Sequence, residues 1–192
     1  MIDPLANSIV TLIKQDPLRM QILDCVAQLG LPQCYVAAGF VRNLVWDHLH
    51  GHSSPTPLND IDVIYFDTID TSYESDLRYE ALLKQRLPEL NWQVRNQACM
   101  HTRNRDEPYQ SSLDAMSYWP EKETAVALKQ SLTGDIECIS SFGLESLFDL
   151  QITPNPKRNR DIFDQRVQSK NWLTHWSKLT TSHSELTFEF KR

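Results

Sequence analysis

Apolar residues recur at near-helical spacing from Ile9 to Leu29 (Leu12, Ile13, Met20, Leu23, Cys25, Val26). Asp16-Pro17 interrupts them, so the pattern predicts two helices rather than one. Gly30-Leu31-Pro32 ends that region. Cys34 to Ala38 reads as a short strand, Gly39 as a turn, and Phe40 to Leu49 as a helix closed by Gly51. The stretch HSSPTP, 52–57, is a loop, and Ile61 to Phe66 is a second strand. Leu77 to Leu87 reads as a helix with Leu82, Leu83 and Leu87 on its apolar side. Trp92 to Ala98 follows as a third strand, and the polar stretch Arg103 to Ser112 as a loop. Thr124 to Gln130 and Ile136 to Ser140 form a hairpin pair around Thr133-Gly134-Asp135. Leu144 to Leu150 is a short helix, and Pro154-Asn155-Pro156 breaks the chain. Arg160 to Trp176 is read as one amphipathic helix whose Trp172 and Trp176, four apart, pack into the core. Thr180 to Arg192 is a polar tail or an edge strand in which Leu186, Phe188 and Phe190 alternate. Strands mixed with helices predict an α+β domain with a mixed sheet.

The 192 residues suit a single domain, with N-terminal helices over 1–30, a core over 31–150 and a C-terminal helix and tail over 151–192. A formal net charge of −6 argues against strong non-specific binding to nucleic acid. No apolar run approaches the roughly 20 residues of a membrane helix. The first residues lack the basic region of a signal peptide, so a cytoplasmic protein with no membrane partner is expected. Cys25, Cys34, Cys99 and Cys138 are far apart and form no CxxC pair, which predicts reduced, mostly buried thiols. His48, His50 and His52 invite a zinc reading. Gly51 ends the helix between His48 and His52, and no acidic or cysteine ligand completes a set at useful spacing, so solvated histidines are expected.

The chemistry concentrates in NDIDVIYFD, Asn59 to Asp67. Asp60 and Asp62 open an otherwise apolar strand and sit two apart, so both carboxylates face one side of it. Such a pair repels and loses hydration when buried, and packing alone gives no reason for it. Divalent cations do: magnesium takes hard oxygen ligands, and two-metal phosphoryl chemistry clamps the attacking and leaving oxygens. A third carboxylate is expected from a neighbouring strand. Glu137 in GDIECIS is the best candidate, because Ile136 and Ile139 mark a strand around it, and Asp135 is the second choice, since the Thr133-Gly134-Asp135 turn explains it locally. Upstream, Ala38 to Asn43 offers a strand, a tight Gly39 turn and a helix start, whose free N–H groups and dipole favour an anion.

AAGFVRN followed by NDIDVIYF resembles the signature of the DNA polymerase β-like nucleotidyltransferase superfamily, in the GGxVRD…DID phrasing of CCA-adding enzymes. Ala38 stands where the first glycine falls, and Asn43 replaces the aspartate. A tighter resemblance is to a small bacterial nucleotidyltransferase family of unassigned substrate. Gly39, Arg42-Asn43, Trp46-Asp47, DIDVIYFD, WQVRNQACMH (92–101), SSFGLESLFDLQITPNP (140–156), Arg166 and Trp172 carry it, with Ser141 in place of a proline.

The resemblance implies a minimal polymerase β-like fold, a mixed β-sheet with helices packed mainly on one face and Glu137 on the strand that supplies the third ligand. It implies transfer of an NMP from an NTP such as ATP to an acceptor hydroxyl, with release of pyrophosphate. Asp60, Asp62 and Glu137 would be the catalytic residues and the ligands of Mg2+ or Mn2+. Ala38, Gly39, Arg42 and Asn43 would bind the nucleotide, and Asn96, Gln97 and His101 are possible substrate contacts. The acceptor is left open between a small molecule and a protein. The alternative is an inactive nucleotide- or metal-binding module, or an interaction protein of the same fold that modifies a partner.

Overall fold

The structure, a computed structural model, describes residues 3–182. Two helices open it, α1 (Pro4–Lys14) and α2 (Pro17–Ala27). Each carries proline in its first turn and an aspartate cap: Asp3 accepts from the Leu5 N–H, and Asp16 from the Arg19 N–H. The break at Asp16-Pro17 is therefore a paired stop and start, as the sequence pattern predicts. Strand β1 (Tyr35–Ala37) leads into α3 (Gly39–His50), which Gly51 ends at a φ of 68°. Then come β2 (Ile61–Tyr65), α4 (Tyr73–Arg86), β3 (Trp92–Asn96), α5 (Gln97–Asn104) and α6 (Ser112–Met116). A 3-10 turn at Lys122–Thr124 precedes the hairpin β4 (Val126–Gln130) and β5 (Ile136–Ser140). The chain finishes with α7 (Glu145–Phe148), β6 (Gln151–Ile152), α8 (Arg160–Ser169), α9 (Trp172–His175) and β7 (Thr180–Thr181).

The main sheet has the order β3-β2-β1-β4-β5. Only β2 and β3 run parallel; the other neighbours are antiparallel. Alternation along the strands sorts the side chains into two layers. Val36, Val63, Val94 and Leu128 face the principal core, which is shared with buried residues of α1 to α4 such as Ile13, Ile22, Val45 and Leu83. Tyr35, Ala37, Ile64 and Ala127 face the other way, where Met116 and Trp119 cover part of the sheet and leave the rest open.

Trp46 of α3 is fully buried and meets Trp172 and Trp176 edge-on, with ring centroids 6.0 and 5.1 Å away. The last helical segment is thereby clamped against α3. Asp47, on the next turn position, accepts from the Thr56 N–H and hydroxyl and from the Trp176 indole N–H.

Three sequence expectations need correction. The third strand stops at Asn96, because its side chain accepts the Ala98 N–H and starts α5, which covers the first residues of the predicted loop. The predicted helix over 160–176 is two, since Asn171 adopts a left-handed φ of 53° between α8 and α9. Both tryptophans still reach the core across the break. Of the three leucines placed on the apolar side of α4, Leu83 is fully buried while Leu82 is 42% exposed. In the tail, Thr180–Thr181 pairs in parallel with Gln151–Ile152, whereas Leu186, Phe188 and Phe190 lie outside the described residues. Cys25 and Cys34 are buried, Cys99 and Cys138 half-buried, and all four thiols are free. Among the described residues no helix is long and apolar enough to cross a membrane.

Candidate functional site

The turn between β1 and α3 is built around an unusual backbone. Ala38 has φ 58° and ψ −123°, a conformation that favours glycine. It is held there from both sides. Its N–H donates to the Val126 carbonyl at 3.0 Å, and its carbonyl accepts from the Val41 and Arg42 N–H groups at 3.1 and 2.9 Å. No side chain caps the start of α3, in contrast to α1, α2, α5, α6 and α8. At Gly39 an added Cβ would meet the Asn43 amide at 3.4 Å and the Arg42 guanidinium at 3.6 Å. The bare glycine keeps the helix start open to a ligand, with its N–H groups and dipole turned outward.

Asp62 lies directly across from Ala37 in the sheet register, with Gln93 on its other side. Asp60 precedes β2 and accepts from the Asn91 side-chain amide. The Asp62 carboxylate accepts no hydrogen bond from another described residue. Burial pushes its carboxyl pKa up, and the Asp60 charge adds to the shift against the pull of Arg42, Lys170 and Arg166. A pair of coupled hard-oxygen donors, one of them without a partner, fits a divalent cation of the magnesium or manganese type.

Arg42 is 6% exposed. It donates to the Thr124 hydroxyl at 2.7 Å and to the Asn43 side-chain carbonyl at 3.0 Å. Its guanidinium lies 4.4 Å from the Trp172 ring centroid and 5.0 Å from that of Trp46. Burial pulls its pKa down to about 10, so it stays a cation at neutral pH. It makes no ion pair with Asp47 among the described residues, because Thr56, Trp176 and His52 occupy that carboxylate.

Two chambers meet at Asp62. The smaller, about 90 Å³, is lined by Gly39, Arg42, Asn43, Asp60, Lys170 and Trp172. The larger, about 260 Å³, extends along β2 past Ile64 and is walled by Gln93, Arg95, Gln97, Met100 and Trp119. Ala38, Asp62, Thr124 and Arg166 border both.

The structure thus gathers Ala38, Gly39, Arg42, Asn43, Asp60 and Asp62 around one chamber. It does not bring Glu137 to them. β5 is the sheet edge, three strand spacings from β2, or about 14 Å. There Glu137 pairs with Lys129 at 3.0 Å and accepts from the Tyr35 hydroxyl at 3.4 Å. A third ligand needs a strand next to β2, and the position beside Asp62 holds Gln93. The expected role of Glu137 as third ligand is corrected by this topology.

Asn96 spends its side chain on the 67–70 turn, accepting from the Asp67 N–H and donating to the Asp67 and Asp70 carbonyls. His101 meets the Ala98 carbonyl and the Tyr109 ring and lies off both chambers. Of these three candidates only Gln97 lines a chamber.

Sequence reasoning did not single out Lys170, Thr124, Gln93 and Trp119 as site residues, since each is brought in by tertiary contact and no local motif marks it. It also overlooked an acid near the histidines: ligand atoms of Asp47, His52 and His175 lie within 4.8 Å of one another.

A mixed sheet that sets an Asp-x-Asp strand beside a strand–Gly-turn–helix cradle defines a polymerase β-like nucleotidyltransferase fold. Residues 24–181 match the family described as Nucleotidyltransferase, and the chain belongs to that family. It is similar to an NMR structure that reveals a CCA-adding enzyme head domain, at 35% identity and a TM-score of 0.81, over 93% of this chain and 96% of that one. It shares its fold with a CCA-adding enzyme in complex with CTP, at 14% identity and a TM-score of 0.57, over 91% of this chain and 43% of that one. The Thermotoga maritima CCA-adding enzyme complexed with tRNA is comparable, at 15% identity and a TM-score of 0.57, over 92% and 42%. The chain therefore spans less than half the length of those two enzymes. No curated protein matches it.

Proposed function

We propose that this nucleotidyltransferase moves an NMP from an NTP to an acceptor hydroxyl and releases pyrophosphate, the whole chain acting as one catalytic domain. The observation that carries the reading is the smaller chamber, where an uncapped helix start, the cations Arg42, Lys170 and Arg166, and the Asp62 carboxylate converge. The N–H groups at the start of α3 receive the β- and γ-phosphates, and Gly39 leaves them room. Arg42, locked by Thr124 and two indole rings, presents a fixed fork to a phosphate. Lys170 adds a second cation from the break between α8 and α9. Asp60 and Asp62 would hold Mg2+ or Mn2+, which would neutralise phosphate charge and activate the acceptor oxygen. The protein's own work is positioning and preorganised charge.

A second reading is an inactive nucleotide-binding module. It is favoured by one observation, the amide of Gln93 where a third carboxylate would complete the site.

Calorimetric titration of each NTP with magnesium, then with EDTA, tests the proposal, repeated on Asp60→Asn/Asp62→Asn. CTP and a tRNA 3′ end belong in the first panel, because similar structures carry CTP and tRNA. Metal-dependent binding that the double variant loses is expected. Absence of any NTP binding to the folded wild type would refute it. Tight binding without pyrophosphate release for any acceptor would favour the inactive module.

A further inference from the structure

We propose that the larger chamber beside Gln93 is the acceptor subsite, and that the acceptor is a small polyhydroxylated molecule, a sugar or a sugar phosphate. The inference rests on nucleotidyl transfer at Asp62. In-line displacement puts the attacking oxygen and the leaving pyrophosphate on opposite sides of the α-phosphorus. The phosphate cradle belongs to the chamber bordered by Gly39, Asn59 and Asp60. The other chamber shares Asp62 with it and extends along Val63 and Ile64, so it offers the attacking hydroxyl a separate approach to the same carboxylate. There its oxygen forms the new bond to the α-phosphorus as the bond to pyrophosphate breaks, and the hydroxyl proton leaves to solvent.

The lining selects the ligand class. Gln93 faces the same side of the sheet as Asp62, and its side-chain amide has no hydrogen-bond partner among the described residues. Gln97 and Thr124 add further neutral polar groups suited to hydroxyls. Trp119 supplies an aromatic wall of the kind that packs against the C–H face of a sugar ring. That wall is built in: Asn155, 2% exposed, donates to the Ser117 and Trp119 carbonyls at 2.8 and 2.7 Å. Arg95 and Arg166 border the chamber but are paired with Glu80 and Glu121, which leaves room for a neutral or singly phosphorylated acceptor. Among the described residues Asp62 is the only carboxylate in the lining, so a polycationic acceptor finds little matching charge there. The 260 Å³ lies just below the roughly 300 Å³ where drug-sized pockets begin, a size that suits a single sugar ring with its substituents.

The test uses full-length protein, with glucose, glucose 6-phosphate, ribose 5-phosphate, a tRNA 3′ end and a denatured protein mixture as acceptors. Pyrophosphate release is followed for the wild type, Gln93→Ala and Trp119→Phe. Binding of the sugars without NTP is followed in parallel by ligand-observed NMR. At least tenfold stimulation by a sugar or sugar phosphate is expected, lost in Gln93→Ala while NTP affinity stays within twofold. The phosphorylated and free sugars separate the two versions of the ligand. Stimulation only by RNA or protein would overturn the proposal. So would a loss of NTP affinity in Gln93→Ala and Trp119→Phe as large as in Asp60→Asn, which would make the chamber the nucleoside's. Sugar binding by a wild type that binds no NTP would keep the ligand class and overturn the transfer chemistry beneath it. No sugar binding and no stimulation, with NTP binding intact, would overturn the subsite alone.

Discussion

Replacing Ala38 by glycine should stabilise the protein. The native φ of 58° and ψ of −123° place an alanine Cβ where glycine belongs. Such strain costs about 1–3 kcal/mol. It persists because the Val126 carbonyl holds the N–H side and the first turn of α3 holds the carbonyl side. Glycine removes the strain but frees the unfolded chain, which costs about 0.4–1 kcal/mol. The net expectation is a gain of about 1 kcal/mol, or a rise in Tm of about 2–4 °C for a chain of this size. Urea denaturation gives the direct measure, as a higher midpoint with unchanged slope. Ala38→Val is the control, because a β-branched side chain at positive φ deepens the strain and should lower the midpoint. A lower midpoint for Ala38→Gly, or a higher one for Ala38→Val, would refute the account of the turn.

Three further outcomes follow from the same geometry. Asp62→Asn should stabilise the metal-free protein at neutral pH in EDTA. A carboxyl whose folded pKa is raised above its unfolded value of about 3.9 costs stability once pH exceeds both, so the gain should vanish below that unfolded value. Thermal melts of both proteins from pH 3 to 8 would show it, and equal curves at pH 7 would count against the buried coupling to Asp60. Asp47→Asn should behave oppositely. Burial raises that pKa, but hydrogen bonds from Thr56, Trp176 and His52 outweigh it and hold the carboxyl below its ordinary value. The ionised form therefore contributes stability above the unfolded pKa that is lost as pH falls through the folded one. The variant should lose about 2–3 kcal/mol at pH 7 and converge on the wild type in acid. Glu137→Gln should leave NTP binding and turnover within twofold and cost no more than about 1 kcal/mol, since it breaks one edge-strand ion pair. A turnover loss of a hundredfold would show that Glu137 reaches the metal.

Much of this protein follows from local chemistry along the chain. Asp16-Pro17 stops one helix and caps the next, Gly51 ends α3, and the Thr133-Gly134-Asp135 turn pairs β4 with β5. Each is a matter of backbone dihedrals and nearest-neighbour hydrogen bonds, so a few residues suffice. Half of the candidate site was legible for the same reason, because Gly39, Arg42, Asp60 and Asp62 sit on two short segments whose strand and turn periodicities aim them. The break at Asn171 was not legible, as residues 160–176 keep helical spacing while the backbone turns left-handed to let both tryptophans meet Trp46. Strand order was not legible either. A hairpin pattern shows that β4 pairs with β5, but says nothing of which one joins β1. Once β4 takes that place, Glu137 is carried to the far edge, while the parallel pairing of β3 with β2 sets Gln93 beside Asp62. Local periodicity tells which way a side chain points. Only the packing of the whole sheet decides what it points at.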